Sequence, residues 1–273
     1  MTEPMLLQPP LPARAGHRRY WTTPPGAALA LAVAAAAREH AGPLVLVARD
    51  SQQAAALERE LAVFAGDLPV LPFPDWETLP YDLFSPHPEI VSQRVATLYR
   101  LPEVKRGILV VPVATLMQRL APRSHVNSGI DMGLGQTLDL AAEQRRLEAA
   151  GYRNVPQVGE PGDFAVRGAL LDIFPMGAAV PYRIELFDDE IESIRSFDPE
   201  TQRSQDKVES VRLLPAREFP LSDEAAARFR DRGLTGWDLA GPEASFPDPL
   251  AHAEAFEAAR AAGLRITVHA GEW

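Results

Sequence analysis

The amino-acid sequence predicts an α/β protein with three parts: a parallel-sheet domain, a smaller α+β domain and a terminal βαβ unit. Helix and strand signals alternate over residues 1–124, which is typical of a parallel sheet. Strand signals separated by turn residues dominate residues 125–215, which is typical of an antiparallel sheet. A last strand–helix–strand pattern lies within residues 233–273. The length of 273 residues suits roughly two domains of ordinary size.

The first part begins with an alanine-rich helix, "GAALALAVAAAA" (26–37). Asp50 follows a buried strand and can cap the next helix, with Gln53 reaching back. A later helix carries Val91 and Val95 on one face. The predicted buried strands are "LVLVA" (44–48), "VLPF" (70–73) and "GILVVPV" (107–113).

The second part starts with a loop-like stretch, residues 127–136, after which Asp139 opens a helix that Gly151 closes. The strand segments that follow predict a small antiparallel sheet: "DFAVRGALLDIF" (163–174), "YRIELF" (182–187), "EIESIRSF" (190–197) and "KVESVRLL" (207–214). The terminal unit is predicted as strand "GLTGWDLAG" (233–241), helix "DPLAHAEAFEAARAAG" (248–263) and strand "LRITVHA" (264–270).

Composition excludes several classes of function. The sequence contains no cysteine, so disulfides, thiolate zinc sites and cysteine nucleophiles are ruled out. The formal charge of -10 argues against a broadly phosphate-seeking surface, because non-specific DNA affinity comes mostly from clustered Lys and Arg. The longest apolar run, residues 26–37, is shorter than the roughly 17–25 residues that span a bilayer. We therefore expect a soluble cytoplasmic protein with no membrane partner.

Motifs for catalysis are weak. A phosphate-binding loop would precede the first helix, but that stretch offers only Gly26 and no Gly-Lys-Ser/Thr, which argues against nucleotide hydrolysis. No nucleophile-elbow sequence for a serine triad is present. The six histidines form neither His-x-His nor His-Glu-x-x-His, so no two are spaced to share a metal. They are His17, His40, His87, His125, His252 and His269.

The most informative stretch of the sequence, "GDFAVRGALLDIFPMGAAVPYRIELFDDEIESIRSFD" (162–198), suggests a binding surface instead of a catalytic site. Arg167 and Arg183 lie in strands whose alternating neighbours face the core. Guanidinium groups on an exposed sheet face, beside an aromatic such as Phe187, suit a carboxylate-bearing protein partner. An alternative remains open at this point: the arginines only balance nearby acids, and Phe187 is a core residue.

A family resemblance adds to this interpretation. The run "FPDWETLPYDLFSPHPEIVSQRVATLYRLPEVKRGILVVPVATLMQRLAPRS" (73–124), with "GYRNVPQVGEPGDFAVRGALLDIFPMG" and "PYRIELFDDEIESIRSFDPETQRS" after it, closely resembles the N-terminal, UvrB-like region of bacterial transcription-repair coupling factors. The resemblance covers about residues 1–231. It implies a degenerate helicase-like (P-loop NTPase-like) parallel-sheet domain that has lost its nucleotide site, whose first half is residues 1–124. It also implies an inserted α+β domain at 125–215 and the start of the second half at 216–232.

The resemblance implies a protein-binding role. The inserted domain of the family binds the excision-repair protein UvrA, and the positions that carry this contact correspond to Arg167, Arg183 and Phe187. In the family, RNA polymerase and DNA are bound through domains that this sequence does not include. We therefore expect a module that recruits UvrA to stalled transcription complexes and has no enzymatic activity of its own.

The segment at 233–273 resembles an internal piece of the adenosine deaminase family, zinc hydrolases built on a TIM barrel, through "DLAG" and "VHAGE". On that pattern His269 corresponds to a zinc ligand, Glu272 to the proton carrier and Gly241 to a purine contact. A catalytic zinc needs about three protein ligands, and the family's His-x-His strand and later aspartate have no counterpart here. We expect no bound metal or cofactor; the alternative function is an inactive fragment of a purine deaminase.

Overall fold

The computed structural model describes residues 7–22, 24–78, 85–220, 236–239, 257, 261 and 265–268. These residues form a mixed α/β fold with both parallel and antiparallel sheets. The broad fold class expected from the sequence is therefore confirmed. No helix in the described part of the chain is long and apolar enough to cross a membrane.

A parallel three-stranded sheet with two helices forms the first part. Its strands lie in the order β1-β3-β2, and all pairs are parallel. Asp50 accepts a hydrogen bond from the Gln53 amide and so caps the second helix, as predicted. The elements are α1 (Ala28–Glu39), β1 (Leu44–Ala48), α2 (Ser51–Phe64), β2 (Val70–Pro72) and β3 (Ile108–Pro112).

A first hydrophobic core lies between this sheet and its helices. Alanines dominate the buried face of α1, which lets the helix approach the strands closely. The buried members of the core are Ala30, Val33, Ala34, Ala37, Ala48, Ala54, Leu57, Leu61, Ile108 and Val110.

The helix α3 (Pro88–Arg100) lies between the two main sheets. Proline occupies its first turn, where the missing N–H costs nothing. The Thr97 hydroxyl donates to the carbonyl of Pro72 in β2 at 2.5 Å. Val95, by contrast, belongs to the core of the second sheet. A 3-10 turn (Leu101–Glu103) and two single-turn helices, α4 (Val113–Leu116) and α5 (Arg123–Val126), connect α3 and β3 to the second part.

The second part is a six-stranded sheet in the order β10-β9-β8-β7-β6-β5. Its pairs are antiparallel except β5–β6, which is parallel. Asp139 accepts from the amides of Ala141 and Ala142 and caps α6 (Leu140–Ala149), as predicted. The strands are β5 (Arg153–Asn154), β6 (Asp163–Arg167), β7 (Leu170–Ile173), β8 (Tyr182–Phe187), β9 (Glu190–Phe197) and β10 (Ser204–Lys207).

Three details of the sequence prediction were wrong. Residues 127–136 are not all loop, because β4 (Ile130–Gly133) pairs antiparallel with β11 (Ser210–Leu213). For the same reason "KVESVRLL" is not one strand: Lys207 ends β10, and β11 joins a different sheet. The segment 163–174 is a hairpin, which turns at Gly168 with φ +61. A partner strand so distant along the chain leaves no local signal in the sequence.

The terminal segment is described only in part. β12 (Gly236–Leu239) and β13 (Arg265–Val268) pair in parallel, as a βαβ unit requires. Most of the helix predicted between them lies outside the described residues, as do Gly241, His269 and Glu272.

Candidate protein-binding surface

One face of the six-stranded sheet packs on the second hydrophobic core, and the opposite face carries the predicted arginines. Alternation along the strands separates the two sets. The core side includes Phe164, Leu171, Ile173, Ile184, Leu186, Ile191 and Ile194. Ala165, Asp172 and Arg183 are cross-strand neighbours on the other side. This side is called the polar face below; its residues are Ala165, Arg167, Asp172, Arg183, Glu185, Phe187, Ser193, Arg195, Phe197 and Lys207.

Asp172 holds both predicted arginines. The side chain of Asp172 is only 4% exposed. Arg183 donates to it twice, from Nε to Oδ1 at 2.8 Å and from NH2 to Oδ2 at 2.9 Å. Arg167 donates to Oδ2 at 3.4 Å. The hydrogen bonds with Asp172 raise the pKa of the Arg183 guanidinium, so this group is held as a cation in a defined orientation.

Further contacts fix the position of Arg183. Its guanidinium carbon lies 5.0 Å from the centre of the Phe197 ring, a cation–π arrangement. Its NH1 reaches the carbonyl of Gln202 at 3.4 Å and the hydroxyl of Ser204 at 3.3 Å. The Arg183 side chain is 19% exposed, whereas that of Arg167 is 52% exposed. Arg183 is therefore a rigid, partly covered cation, and Arg167 is the more accessible of the two.

Phe187 ends β8 on the polar face and is 69% exposed. The interpretation of Phe187 as a core residue is therefore wrong. The next residue, Asp188, has φ 54 and begins the tight turn into β9. On one strand Phe187 and Arg183 are about 13 Å apart, from the usual rise of a β-strand. A large exposed aromatic on the same face as two anchored arginines has the composition that protein interfaces favour.

Asp172 was not among the residues predicted from the sequence, although the sequence contains a signal for it. In "LLDIF" an acid interrupts an apolar strand, which indicates a charge that needs a partner on a neighbouring strand. The partner could not be identified, because it depends on the register that sets Asp172 opposite Arg183. The arginines do balance a nearby acid, as the alternative interpretation held; that contact also orients them toward the polar face.

A buried ion pair connects the two parts of the molecule. The Arg94 side chain, which is 0% exposed, donates from Nε to Glu218 Oε2 at 2.7 Å and from NH2 to Oε1 at 2.9 Å. Trp76 Nε1 donates to the same Glu218 oxygen, Oε2, at 2.9 Å. The Arg94 guanidinium also lies over the rings of Phe73 (4.3 Å) and Trp76 (4.7 Å). The motif "FPDW", singled out only for its resemblance, thus encloses a buried cation.

His269, which the deaminase resemblance gives as a zinc ligand, and Glu272, which it gives as the proton carrier, lie outside the described residues. Over the part of the chain that the structure describes, no group of three or more His, Cys, Asp and Glu side chains could hold a metal ion. His87 and His125 have other contacts: the His87 ring accepts from the Glu89 amide, and the His125 ring is 2.9 Å from the Arg217 carbonyl.

Comparison with known proteins identifies the class. The family described as the UvrB interaction domain matches residues 130–219, which contain the polar face. This part of the chain is therefore similar to UvrB interaction domains. The family described as adenosine deaminase matches residues 216–273, in line with the resemblance of the terminal segment.

The chain is homologous to the transcription-repair-coupling factors, which confirms the resemblance predicted from the sequence. It is 50% identical to the factor of Escherichia coli over 223 residues, which are 81% of this chain and 19% of that protein. Identity to the Haemophilus influenzae factor is 46% over 225 residues, which are 82% of this chain and 20% of that factor. Identity to the Myxococcus xanthus factor is 40% over 194 residues, which are 68% of this chain and 16% of that factor. The chain thus spans about one fifth of the length of these relatives.

Proposed function

We propose that this chain is a protein-interaction module of transcription-coupled nucleotide excision repair, which recruits UvrA through the polar face at Arg167, Arg183 and Phe187. The supporting observation is the geometry at Asp172, where one buried carboxylate orients both arginines on the face that leaves Phe187 exposed. Anchored arginines and exposed aromatics carry much of the energy of protein interfaces, because little side-chain entropy is lost when they bind.

The proposal extends to the arrangement of domains. Residues 1–124 are the first half of a degenerate helicase-like domain, residues 125–215 are the inserted UvrA-binding domain, and residues 216–232 begin the second half. Residues 233–273 are a deaminase-like fragment. The module binds without catalysing a reaction, and RNA polymerase and DNA are contacted by other domains of a longer protein.

The test is the affinity of the purified chain for UvrA, measured by biolayer interferometry. We expect Phe187→Ala and Arg167→Glu each to weaken binding at least tenfold, because a central aromatic and a charge contact are lost. Phe187 is 69% exposed, so Phe187→Ala should unfold at the same urea concentration as the parent chain. Arg167→Glu also removes a cation 3.4 Å from the buried Asp172, so its urea midpoint should fall, and its affinity is compared at temperatures where it is fully folded.

The matched control is Tyr20→Ala, which removes another exposed aromatic, 86% accessible, from outside the six-stranded sheet. Its affinity for UvrA should equal that of the parent chain. Unchanged binding by the Phe187→Ala, Arg167→Glu double variant would refute the proposed surface.

A further inference from the structure

Two cations of the polar face lie in a row with Arg183 and are not among the proposed UvrA contacts. Arg183 of β8 is directly opposite Arg195 of β9, and Arg195 is directly opposite Lys207 of β10. Like charges in directly opposite positions destabilise an antiparallel pair. The row Asp172, Arg183, Arg195 and Lys207 therefore holds one acid and three bases on adjacent strands.

The acids nearest to this row are already engaged. Both oxygens of Asp172 bind Arg183, and one of them also binds Arg167. Glu185, at the next polar-face position along β8, accepts a hydrogen bond from the Ser193 hydroxyl at 2.6 Å, and its charge helps to raise the pKa of Arg183. Asp172, the single carboxylate of the row, is thus paired with Arg183. The excess positive charge lies on β9 and β10, at Arg195 and Lys207.

Arg195 lacks a partner within the part of the chain that the structure describes. Its Nε is buried and makes no hydrogen bond, and none of the ion pairs formed by the described residues includes Arg195. An unpaired buried donor costs about 1–3 kcal/mol. Lys207 is exposed and likewise has no ion pair there. Without a bound partner, the sheet thus holds two cations, Arg195 and Lys207, in positions that do not stabilise it.

We propose that the UvrA-binding surface continues from Arg183 along this row, and that a carboxylate of UvrA binds between Arg195 and Lys207. This inference rests on the proposed function. An acidic side chain from the partner neutralises the repulsion that the free chain tolerates, so part of the binding energy comes from relieving it. The contact also sets the register of the partner, since it lies on the opposite side of Arg183 from Arg167.

A protein carboxylate fits this site better than a nucleic-acid phosphate. The chain carries a net charge of -10, which repels a polyanion. The turn that follows Phe187 adds the acids Asp188, Asp189 and Glu190 near the same face. A duplex covers many residues and would be repelled by these acids, whereas one carboxylate side chain needs to contact only Arg195 and Lys207.

The test exploits an opposite effect on binding and on stability. Arg195→Glu creates two favourable pairs in the free chain, with Arg183 and with Lys207, and it places a negative charge where the partner's carboxylate binds. We expect UvrA affinity to fall at least tenfold while the urea midpoint stays the same or rises. Lys207→Glu should likewise lower UvrA affinity without lowering the urea midpoint. A merely structural arginine would lower the urea midpoint when replaced.

Arg145→Glu is the matched control, because it makes the same charge change at an exposed position on α6, outside the row. It should change UvrA affinity less than twofold. If Arg195→Glu binds UvrA like the parent chain while Phe187→Ala does not, the extension is wrong and the proposed function stands. If neither variant alters UvrA binding, the proposed function fails as well. Duplex DNA binding that Arg195→Glu abolishes, with UvrA affinity unchanged, would also overturn the inference.

Discussion

At the scale of single residues, a few buried charges decide what the surface can do. Asp172 is almost completely buried and sets the orientation of two arginines on different strands. A neutral residue at this position would leave Arg183 free to sample other rotamers, and that mobility would have to be lost again on binding. The acid therefore contributes to recognition although a partner cannot reach it.

Glu143 shows the opposite situation, a buried acid that its surroundings do not satisfy. It is 6% exposed on α6, its Oε1 has no hydrogen-bond partner, and its nearest cation, Arg146, is 3.7 Å away. Burial raises the pKa of the Glu143 carboxyl. Because the folded chain then holds the proton more tightly than the unfolded chain, Glu143 lowers stability as pH rises above the ordinary carboxyl pKa of about 4.3.

We predict that Glu143→Gln raises the free energy of unfolding at pH 7.5 by about 1 kcal/mol, because no charge is then buried. At pH 4 the gain should largely disappear, since the glutamate is protonated there. Urea unfolding at the two pH values measures the effect. Glu148→Gln, an exposed position on the same helix, is the control and should show no pH-dependent gain. A lower urea midpoint for Glu143→Gln at pH 7.5 would contradict the prediction.

At the scale of elements, the six-stranded sheet contacts α3 through the loop between β7 and β8. Gly177 in this loop has φ +81, and its amide donates to the Ser92 hydroxyl on α3 at 2.7 Å. A Cβ at Gly177 would lie 2.9 Å from the Ala96 Cβ and 3.3 Å from Leu214 Cδ1. The glycine therefore allows both a left-handed backbone and close approach of the loop to the helix.

We predict that Gly177→Ala lowers the free energy of unfolding by about 3 kcal/mol, the sum of a left-handed backbone cost and overpacking against α3. Gly168→Ala separates the two causes. Gly168 has a similar positive φ of +61 in the β6–β7 turn, but a Cβ added there would have nothing within 4 Å, so its cost should be only about 1–2 kcal/mol. Equal losses for the two variants in urea unfolding would show that packing against α3 is unimportant.

At the scale of the whole molecule, Arg94 and Glu218 join segments that are 124 residues apart in the chain. Arg94 belongs to α3, and Glu218 follows the last strand of the second part. The pair therefore connects α3 to the end of the region that is similar to UvrB interaction domains. Together with Val95 of α3, which packs in the second core, it holds this region against α3.

We predict that Glu218→Gln destabilises the chain by about 3–5 kcal/mol, because it leaves the fully buried Arg94 cation uncompensated. The Arg94→Met, Glu218→Leu double variant should recover most of this loss, since apolar side chains of similar size need no partner. Urea unfolding measures both.

The exposed pair between Arg212 and Asp131 supplies the comparison. Asp131 is 63% exposed in a contact of 2.7 Å, and Asp131→Asn should cost less than about 1 kcal/mol. A Glu218→Gln variant as mildly affected as Asp131→Asn would mean that the buried pair does not hold the two parts together.

Much of the local structure could be predicted from the sequence because its causes are local. Continuous apolar runs located β1 and β3, and strand-forming residues between turn signals located β8. The capping residues Asp50 and Asp139 marked helix starts that the structure confirms. The spacing in β8 put Phe187 on the face of Arg183, but whether that face is exposed at Phe187 stayed open until the structure was known. The composition and motifs also indicated a binding module more than a catalyst.

The sequence by itself therefore determined the α/β class, most strands and helices, and the strands that carry Arg167, Arg183 and Phe187. Only the tertiary structure decided that β4 pairs with β11, that Asp172 is shared by two arginines, and that Arg195 faces two other cations. It alone also brought Arg94 to Glu218. Periodicity and capping act over a few neighbouring residues, whereas strand register and buried ion pairs depend on which distant segments the packed core brings together.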